Sequence, residues 1–152
     1  MFRGNHPAKI DEKGRLKLPA AFKQLLEAQN VTQFYITSPD GNSAEIWPLP
    51  EWEKREALLA RHSAMNKAVK KYLNMTSYFG QQVEIDNQGR VLVPQILRGK
   101  AQLDDVDVTV FGKTTYLEVH NRANFEKNLA ENEMTDAECE ALDNILSPNS
   151  SN

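Results

Sequence analysis

Two arginines, Arg15 and Arg90, have neighbours whose types and spacing could carry chemistry. Each directly follows a glycine and stands four residues after an aspartate, Asp11 or Asp86. Such an aspartate and glycine are typical of a tight turn, because the carboxylate accepts bonds from nearby amides and glycine adopts positive φ at little cost. The arginine can pair with the aspartate of its own turn. It can also reach outward to phosphates or guanine edges, with which its planar guanidinium makes paired hydrogen bonds.

The two turns differ in the residues that accompany the arginine. Lys13 and Lys17 surround the first, whereas Gln88 and Leu92 hold these positions in the second. The first copy is therefore the more strongly cationic of the two. Strand alternation turns Leu92 outward, where we expect a neighbouring subunit or the other half of the protein to cover it.

These turns belong to an internal repeat. Residues 10–23 and 85–98 agree at five of fourteen positions, where composition alone gives roughly one. The identical pairs are Ile10 and Ile85, Asp11 and Asp86, Gly14 and Gly89, Arg15 and Arg90, and Pro19 and Pro94. Chance is a poor explanation for this agreement, so the chain carries one module twice.

The same order of elements is predicted in both copies: strand, turn, strand, short helix, hairpin and longer helix. In the first copy the residues after Arg15 alternate as in a half-buried strand, and Pro19 then starts a helix over 20–28. Turns at 39–42 and 112–114 mark the hairpins. Residues 50–78 predict one or two amphipathic helices, and Thr135 with Glu138 predicts a capping box that opens a short acidic helix.

Charge is unevenly distributed, although the net charge is only −3. Residues 1–100 hold 15 basic and 10 acidic side chains, and residues 101–152 hold 3 and 11. Within residues 1–25 the balance is 6 to 2. The first 100 residues are thus basic and the remainder is acidic. The basic part could bind a nucleic acid, although the net charge of the whole chain is negative.

Several classes of function are disfavoured by the sequence. No apolar run approaches the roughly 18 residues of a membrane span, and the start lacks the apolar run of a signal peptide. One cysteine, Cys139, and three scattered histidines suggest neither a disulfide nor a metal site. Phosphate loops and nucleophile elbows are absent, and Asp11 and Asp86 are better explained by turns than by catalysis. We expect a cytoplasmic protein that is not an enzyme, without cofactor, metal, membrane or small-molecule substrate.

The sequence resembles the MraZ transcription regulators, which contain two SpoVT-AbrB repeats. The resemblance rests on the start Met1–Gly4, on both Asp-x-x-Gly-Arg-x-x-x-Pro motifs and on the central segment Pro48–Trp52. It implies an α+β, mainly β fold: a swapped-hairpin AbrB-type barrel formed by the two repeats, with amphipathic helices packed outside. It also implies a homo-oligomeric ring that binds short direct repeats of double-stranded DNA through Arg15 and Arg90. The further candidate DNA-contacting residues are Lys13, Lys17 and Arg3, and we predict that the first copy dominates contact with DNA. Such a protein would be nucleoid-associated and would repress its own division and cell-wall operon.

The sequence departs from the family in residues 76–82 and in using Lys70 and Lys71 where arginine is usual, so details of the subunit contacts are open. The expected organisation is a first repeat at 1–49, a helical linker at 50–79, a second repeat at 80–122, C-terminal helices at 123–146 and a disordered tail at 147–152.

Two alternatives remain open. An AbrB-type antitoxin would bind DNA and also hold a toxin through the C-terminal acidic helix, but antitoxins usually carry one half-barrel per chain. The third candidate is a purely structural ring that binds other proteins.

Overall fold

A computed structural model of the protein describes residues 1–62 and 65–148. Its strands are β1 (Phe2–Lys9), β2 (Arg15–Lys17), β3 (Gln33–Thr37), β4 (Ala44–Pro48), β5 (Gln81–Glu84), β6 (Arg90–Leu92), β7 (Asp107–Thr114) and β8 (Leu117–Asn121). Its α-helices are α1 (Ala20–Ala28), α2 (Leu49–Ala60), α3 (Lys67–Tyr78), α4 (Gln95–Lys100), α5 (Arg122–Lys127) and α6 (Asp136–Leu146), with a 3-10 helix at Leu129–Asn132. The mixed α+β, mainly antiparallel β composition confirms the predicted fold class.

The two copies of the repeat exchange strands. All pairs in the six-stranded sheet are antiparallel, in the order β1-β7-β8-β4-β3-β5. The first strand of each copy therefore pairs with the hairpin of the other copy: β1 pairs with β7, and β5 with β3. This exchange is the arrangement that a swapped-hairpin fold requires.

Strands β2 and β6 form a separate two-stranded ribbon. An isolated bridge between Ile10 and Leu16 connects this ribbon to the end of β1. The hydrogen bonding is thus that of a sheet and a ribbon, and a closed barrel is not confirmed. One core nevertheless joins them, because the inward ribbon residues Leu16 and Val91 pack in the same cluster as Ile36 and Val110 of the sheet.

The helices follow local rules that the sequence displays. Pro19 and Pro94, with φ of −54° and −55°, stand directly before α1 and α4. The predicted capping box is present, since the Thr135 hydroxyl accepts from the Glu138 amide and the Glu138 carboxylate accepts from the Thr135 amide. The amphipathic segment after the first hairpin forms two helices, α2 and α3. No helix in the described part of the chain is long and apolar enough to cross a membrane.

The turn of the second hairpin lies slightly later than predicted. Residues 112–114 were expected to turn, but β7 continues through Thr114, and the turn is closed by the Lys113 amide, which donates to the Tyr116 carbonyl at 2.8 Å. The reason is its partner from the other copy, because Phe2, Arg3 and Gly4 of β1 pair with Thr114, Lys113 and Gly112. Of the tail expected at 147–152, residues 149–152 lie outside the described residues. The division of the chain into domains stays a prediction.

Candidate nucleic-acid interface

The ribbon has one buried face and one accessible face. Leu16 and Val91 face each other at its centre and are 0% and 1% exposed. Because strand side chains alternate, the other face carries the residues on either side of them. These are Arg15, Lys17, Arg90 and Leu92, which are called the ribbon face below. The prediction that Leu92 points outward is confirmed, since its side chain is 43% exposed. The other half of the protein leaves this side chain open, so that part of the expectation is wrong, and cover by a neighbouring subunit stays a prediction.

The exchange of strands mixes the two copies on the ribbon face. Lys17 of the first copy stands opposite Arg90 of the second, and Arg15 stands opposite Leu92. Directly opposite Cβ atoms lie about 5 Å apart in an antiparallel pair. The cations of the ribbon face therefore come from both copies, which the sequence alone did not indicate.

Arg15 is held by the aspartate of its own turn. The Asp11 Oδ1 atom accepts hydrogen bonds from the Lys13 and Arg15 amides at 3.0 and 2.8 Å. Its Oδ2 atom accepts from the Arg15 Nε at 2.8 Å. The pairing expected as one of two alternatives is thus present. It occupies Nε alone, and the terminal guanidinium nitrogens of Arg15 donate no hydrogen bond to a described residue.

The second turn repeats this geometry. Asp86 accepts from the Gln88 and Arg90 amides, both at 2.9 Å, and from the Arg90 Nε at 2.8 Å. Arg90 also lies near the first turn, with its Nη1 atom 3.9 Å from the Asp11 Oδ2 atom. Asp11 is therefore close to both arginines, whereas Asp86 is close to its own.

Both turn aspartates are held in the charged form. The pKa of Asp11 is lowered from 3.8, chiefly by the hydrogen bond from the Arg15 amide, and partial burial opposes this. The pKa of Asp86 is lowered for the same reason by the Arg90 amide. A carboxylate that stays ionised keeps its arginine oriented at neutral pH.

Each turn is also fixed by the other copy, which sequence reasoning missed. The Leu18 amide donates to the Gly89 carbonyl, and the Val93 amide donates to the Gly14 carbonyl, both at 2.9 Å. Arg98 packs over Gly14, since a Cβ there would lie 2.6 Å from the Arg98 Cζ atom. Lys23 takes the same place over Gly89. The signal was available, because Lys23 and Arg98 are equivalent cations in the repeat.

The remaining candidates lie apart from the ribbon face. Lys13 is exposed within the first turn. Arg3 lies near the far end of β1, seven residues before Ile10, so about 23 Å separates it from the turn. The structure does not bring Arg3 together with Arg15. Asp104, bridged to Ile10, lies beside the first turn and makes this end less basic than residues 1–25 suggest.

A second polar cluster lies on the outer face of the six-stranded sheet. Glu45 and Glu118 stand opposite each other on β4 and β8. Burial raises the pKa of Glu45, and the charge of Glu118 adds a smaller increase. A hydrogen bond from Trp47 opposes both. Burial also opposes ionisation of Glu118, but hydrogen bonds from His120 and Tyr116 outweigh it and lower that pKa. Two facing carboxylates make this surface unsuited to phosphate.

Within residues 1–62 and 65–148, no group of three or more histidine, cysteine, aspartate or glutamate side chains is arranged to hold a metal ion. Cys139 is a free, exposed thiol. The cations of the ribbon face, of which Lys17 is exposed and Arg15 and Arg90 are partly buried, are therefore the strongest candidate for a functional site.

Known proteins to which this chain is similar share one name. A family model described as "MraZ protein, putative antitoxin-like" matches residues 1–74 and 80–145. The chain is 56% identical to a protein named transcriptional regulator MraZ from Acidobacterium capsulatum, over 93% of this chain and 97% of the relative. It is 48% identical to the protein of that name from Koribacter versatilis, over 85% and 88%. The corresponding protein of Thiobacillus denitrificans is 31% identical, over 86% and 88%.

Proposed function

Because the chain belongs to the MraZ family, we propose that it is a DNA-binding transcriptional regulator that contacts double-stranded DNA through the ribbon face. The observation that carries this proposal is the group of three cations, Arg15, Lys17 and Arg90, on one accessible face of a two-stranded ribbon. A ribbon of this width fits the major groove, where arginine can pair with guanine.

The aspartates support the proposal by orienting the arginines. Since Asp11 and Asp86 each bind Nε, both guanidinium groups are fixed in position, with the terminal nitrogens of Arg15 left for a partner and the Arg90 Nη1 atom 3.9 Å from Asp11. A preorganised fork loses less conformational entropy on binding than a free side chain. The intramolecular pairing and the DNA contact are then compatible, because they use different atoms of the same side chain.

Fluorescence anisotropy on the DNA upstream of the protein's own gene tests the proposal. We expect Arg15→Ala and Arg90→Ala each to weaken binding at least about tenfold, the cost of one good bidentate contact. Arg15→Ala should weaken it at least as much as Arg90→Ala, in line with dominance of the first copy.

The matched control is Arg122→Ala. Arg122 is exposed on α5 and binds Glu126 through its Nε atom at 2.9 Å, as the ribbon arginines bind their aspartates. This variant should bind DNA as the wild type does. The proposal fails if the wild type shows no binding, or if both ribbon variants bind like the control.

The finer proposal is a homo-oligomeric ring that binds short direct repeats and represses its own division and cell-wall operon. One ribbon with three cations supplies few phosphate contacts, and several linked copies raise avidity without new contacts. Light-scattering mass in solution and a reporter fused to the upstream region test the two parts separately. A monomeric mass or an unrepressed reporter would remove the corresponding part.

A toxin-binding antitoxin is the second candidate. Helix α6 has no buried residue, carries four acidic side chains and exposes Leu142, Ile145 and Leu146. A chain ending at Met134 separates the two functions. If the protein acts only as a regulator, the shortened chain should bind DNA as the full chain does. If it is an antitoxin, a toxin should co-purify with the full chain and be absent from the shortened one.

A further inference from the structure

Leu92 is an apolar side chain on an otherwise cationic face. A single exposed leucine needs no explanation on most protein surfaces. Here, however, it fills one of four positions on the face proposed to contact DNA, directly opposite Arg15. Its equivalent in the first copy is Lys17, so the approximate symmetry of the ribbon is broken at this position.

The position of Leu92 is fixed by the fold. Its neighbour Val91 is 1% exposed and anchors the strand in the core, and the Val93 amide donates to the Gly14 carbonyl. Leu92 therefore cannot turn inward without breaking the register of the ribbon. It must present its methyl groups to whatever the ribbon face meets.

The major groove offers one apolar group, the C5-methyl of thymine. Phosphates and the other base edges present charge or hydrogen-bonding atoms, which an isobutyl side chain cannot satisfy. Contact between two methyl-bearing groups removes apolar surface from water on both sides.

We propose that Leu92 reads a thymine methyl group in the major groove and so contributes to the base specificity of the ribbon face. This inference rests on the proposed DNA-binding function. Opposite Cβ atoms lie about 5 Å apart, and successive bases about 3.4 Å. The thymine should therefore lie one or two base steps from the contact made by Arg15.

The test compares two duplexes of the upstream DNA, one natural and one with every thymine replaced by deoxyuridine. Wild-type protein should bind the deoxyuridine duplex about fourfold more weakly for each contacted methyl. Leu92→Ala should bind both duplexes nearly equally, because the contact is already lost. Single replacements then locate the thymine.

Leu58→Ala is the matched control, since Leu58 is exposed on α2 and is not part of the ribbon. It should keep the full wild-type difference between the duplexes. An effect of deoxyuridine on DNA shape would be the same for all three proteins, so a difference lost in Leu92→Ala alone reports the methyl contact. Equal binding of both duplexes by the wild type would overturn this inference and leave the DNA-binding function standing. Failure to bind either duplex would remove both.

A neighbouring subunit is the competing occupant of this position. If a subunit covers Leu92, Leu92→Ala should lower the light-scattering mass of the assembly and should keep the difference between the duplexes. That result would overturn the thymine contact. An unchanged mass together with a lost methyl preference supports it.

Discussion

Asp86 and Arg90 show how a turn can both stabilise the fold and prepare a binding group. The carboxylate accepts two backbone amides and the Arg90 Nε, and these bonds hold its pKa below the ordinary value of 3.8. A lowered pKa means that the folded state prefers the charged carboxylate. The resulting stabilisation is complete above the pKa of the unfolded chain and is lost as pH falls through the lower folded pKa.

Asp86→Asn should therefore make the protein less sensitive to acid. The asparagine oxygen can still accept the two amides, but the charged contact to Arg90 is lost. We expect the variant to be less stable than the wild type at pH 7 and to lose less free energy of unfolding between about pH 5 and pH 3. Urea denaturation over this range measures both.

Asn87→Ala is the control, because it alters the same turn and leaves the Asp86–Arg90 pair intact. It should follow the pH dependence of the wild type. An Asp86→Asn curve parallel to the wild-type curve would contradict the assigned role of this carboxylate.

At the level of secondary structure, the two turn glycines look equivalent in sequence but have different surroundings. Both have positive φ, +84° at Gly14 and +76° at Gly89. A Cβ at Gly14 would meet the Arg98 guanidinium at 2.6 Å, whereas at Gly89 it would meet the flexible Lys23 side chain at 3.1 Å. Arg98 cannot easily withdraw, because it binds the Val93 carbonyl and Asp104.

Gly14→Ala should consequently destabilise the protein more than Gly89→Ala. Positive φ alone costs alanine about 1–2 kcal/mol, which we expect at Gly89, and displacement of Arg98 adds to it at Gly14. Gly99→Ala is the control, since α4 leaves open space there and alanine favours a helix by up to about 1 kcal/mol. Urea midpoints rank the three variants. Equal costs at Gly14 and Gly89 would show that Arg98 is not fixed.

Local elements could be predicted from the sequence because local chemistry sets them. The Asp–Gly turns, the prolines before α1 and α4, and the Thr135–Glu138 capping box each depend on a few neighbouring residues. Strand partners do not, since periodicity reports which face is buried and not which strand lies alongside. The extension of β7 through Thr114 was missed for this reason, because its cause is β1 from the other copy.

The same distinction between local and long-range contacts applies to the candidate site. The choice of Asp11 as a partner for Arg15 followed from their spacing, and the structure contains that pair. The neighbours that come from the other copy could not be predicted from the spacing of residues. They are Lys17 opposite Arg90, Arg98 over Gly14, and Asp104 beside the first turn. Each depends on the exchange of strands, which brings together residues far apart in the chain.

Across the whole molecule, the two halves are related by an approximate twofold axis. Leu16 faces Val91 at the centre of the ribbon, and Glu45 faces Glu118 on the central strands of the sheet. Residues of both halves build the ribbon face, so one complete chain is the smallest unit that could present it. The number of ribbons engaged with DNA then equals the number of chains in contact.

Lys17→Ala can count these chains through the salt dependence of binding. Each phosphate contact contributes about 0.9 to the slope of log affinity against log salt. If Lys17 contacts one phosphate per chain, its removal should reduce the slope by about 0.9 on DNA carrying one repeat and by about 1.8 on DNA carrying two. Lys127→Ala, an exposed lysine on α5, should change neither slope. Anisotropy titrations at several salt concentrations measure these values. A reduction of about 0.9 on both DNAs would mean that one chain makes the contact and that the proposed oligomer does not engage the repeats together.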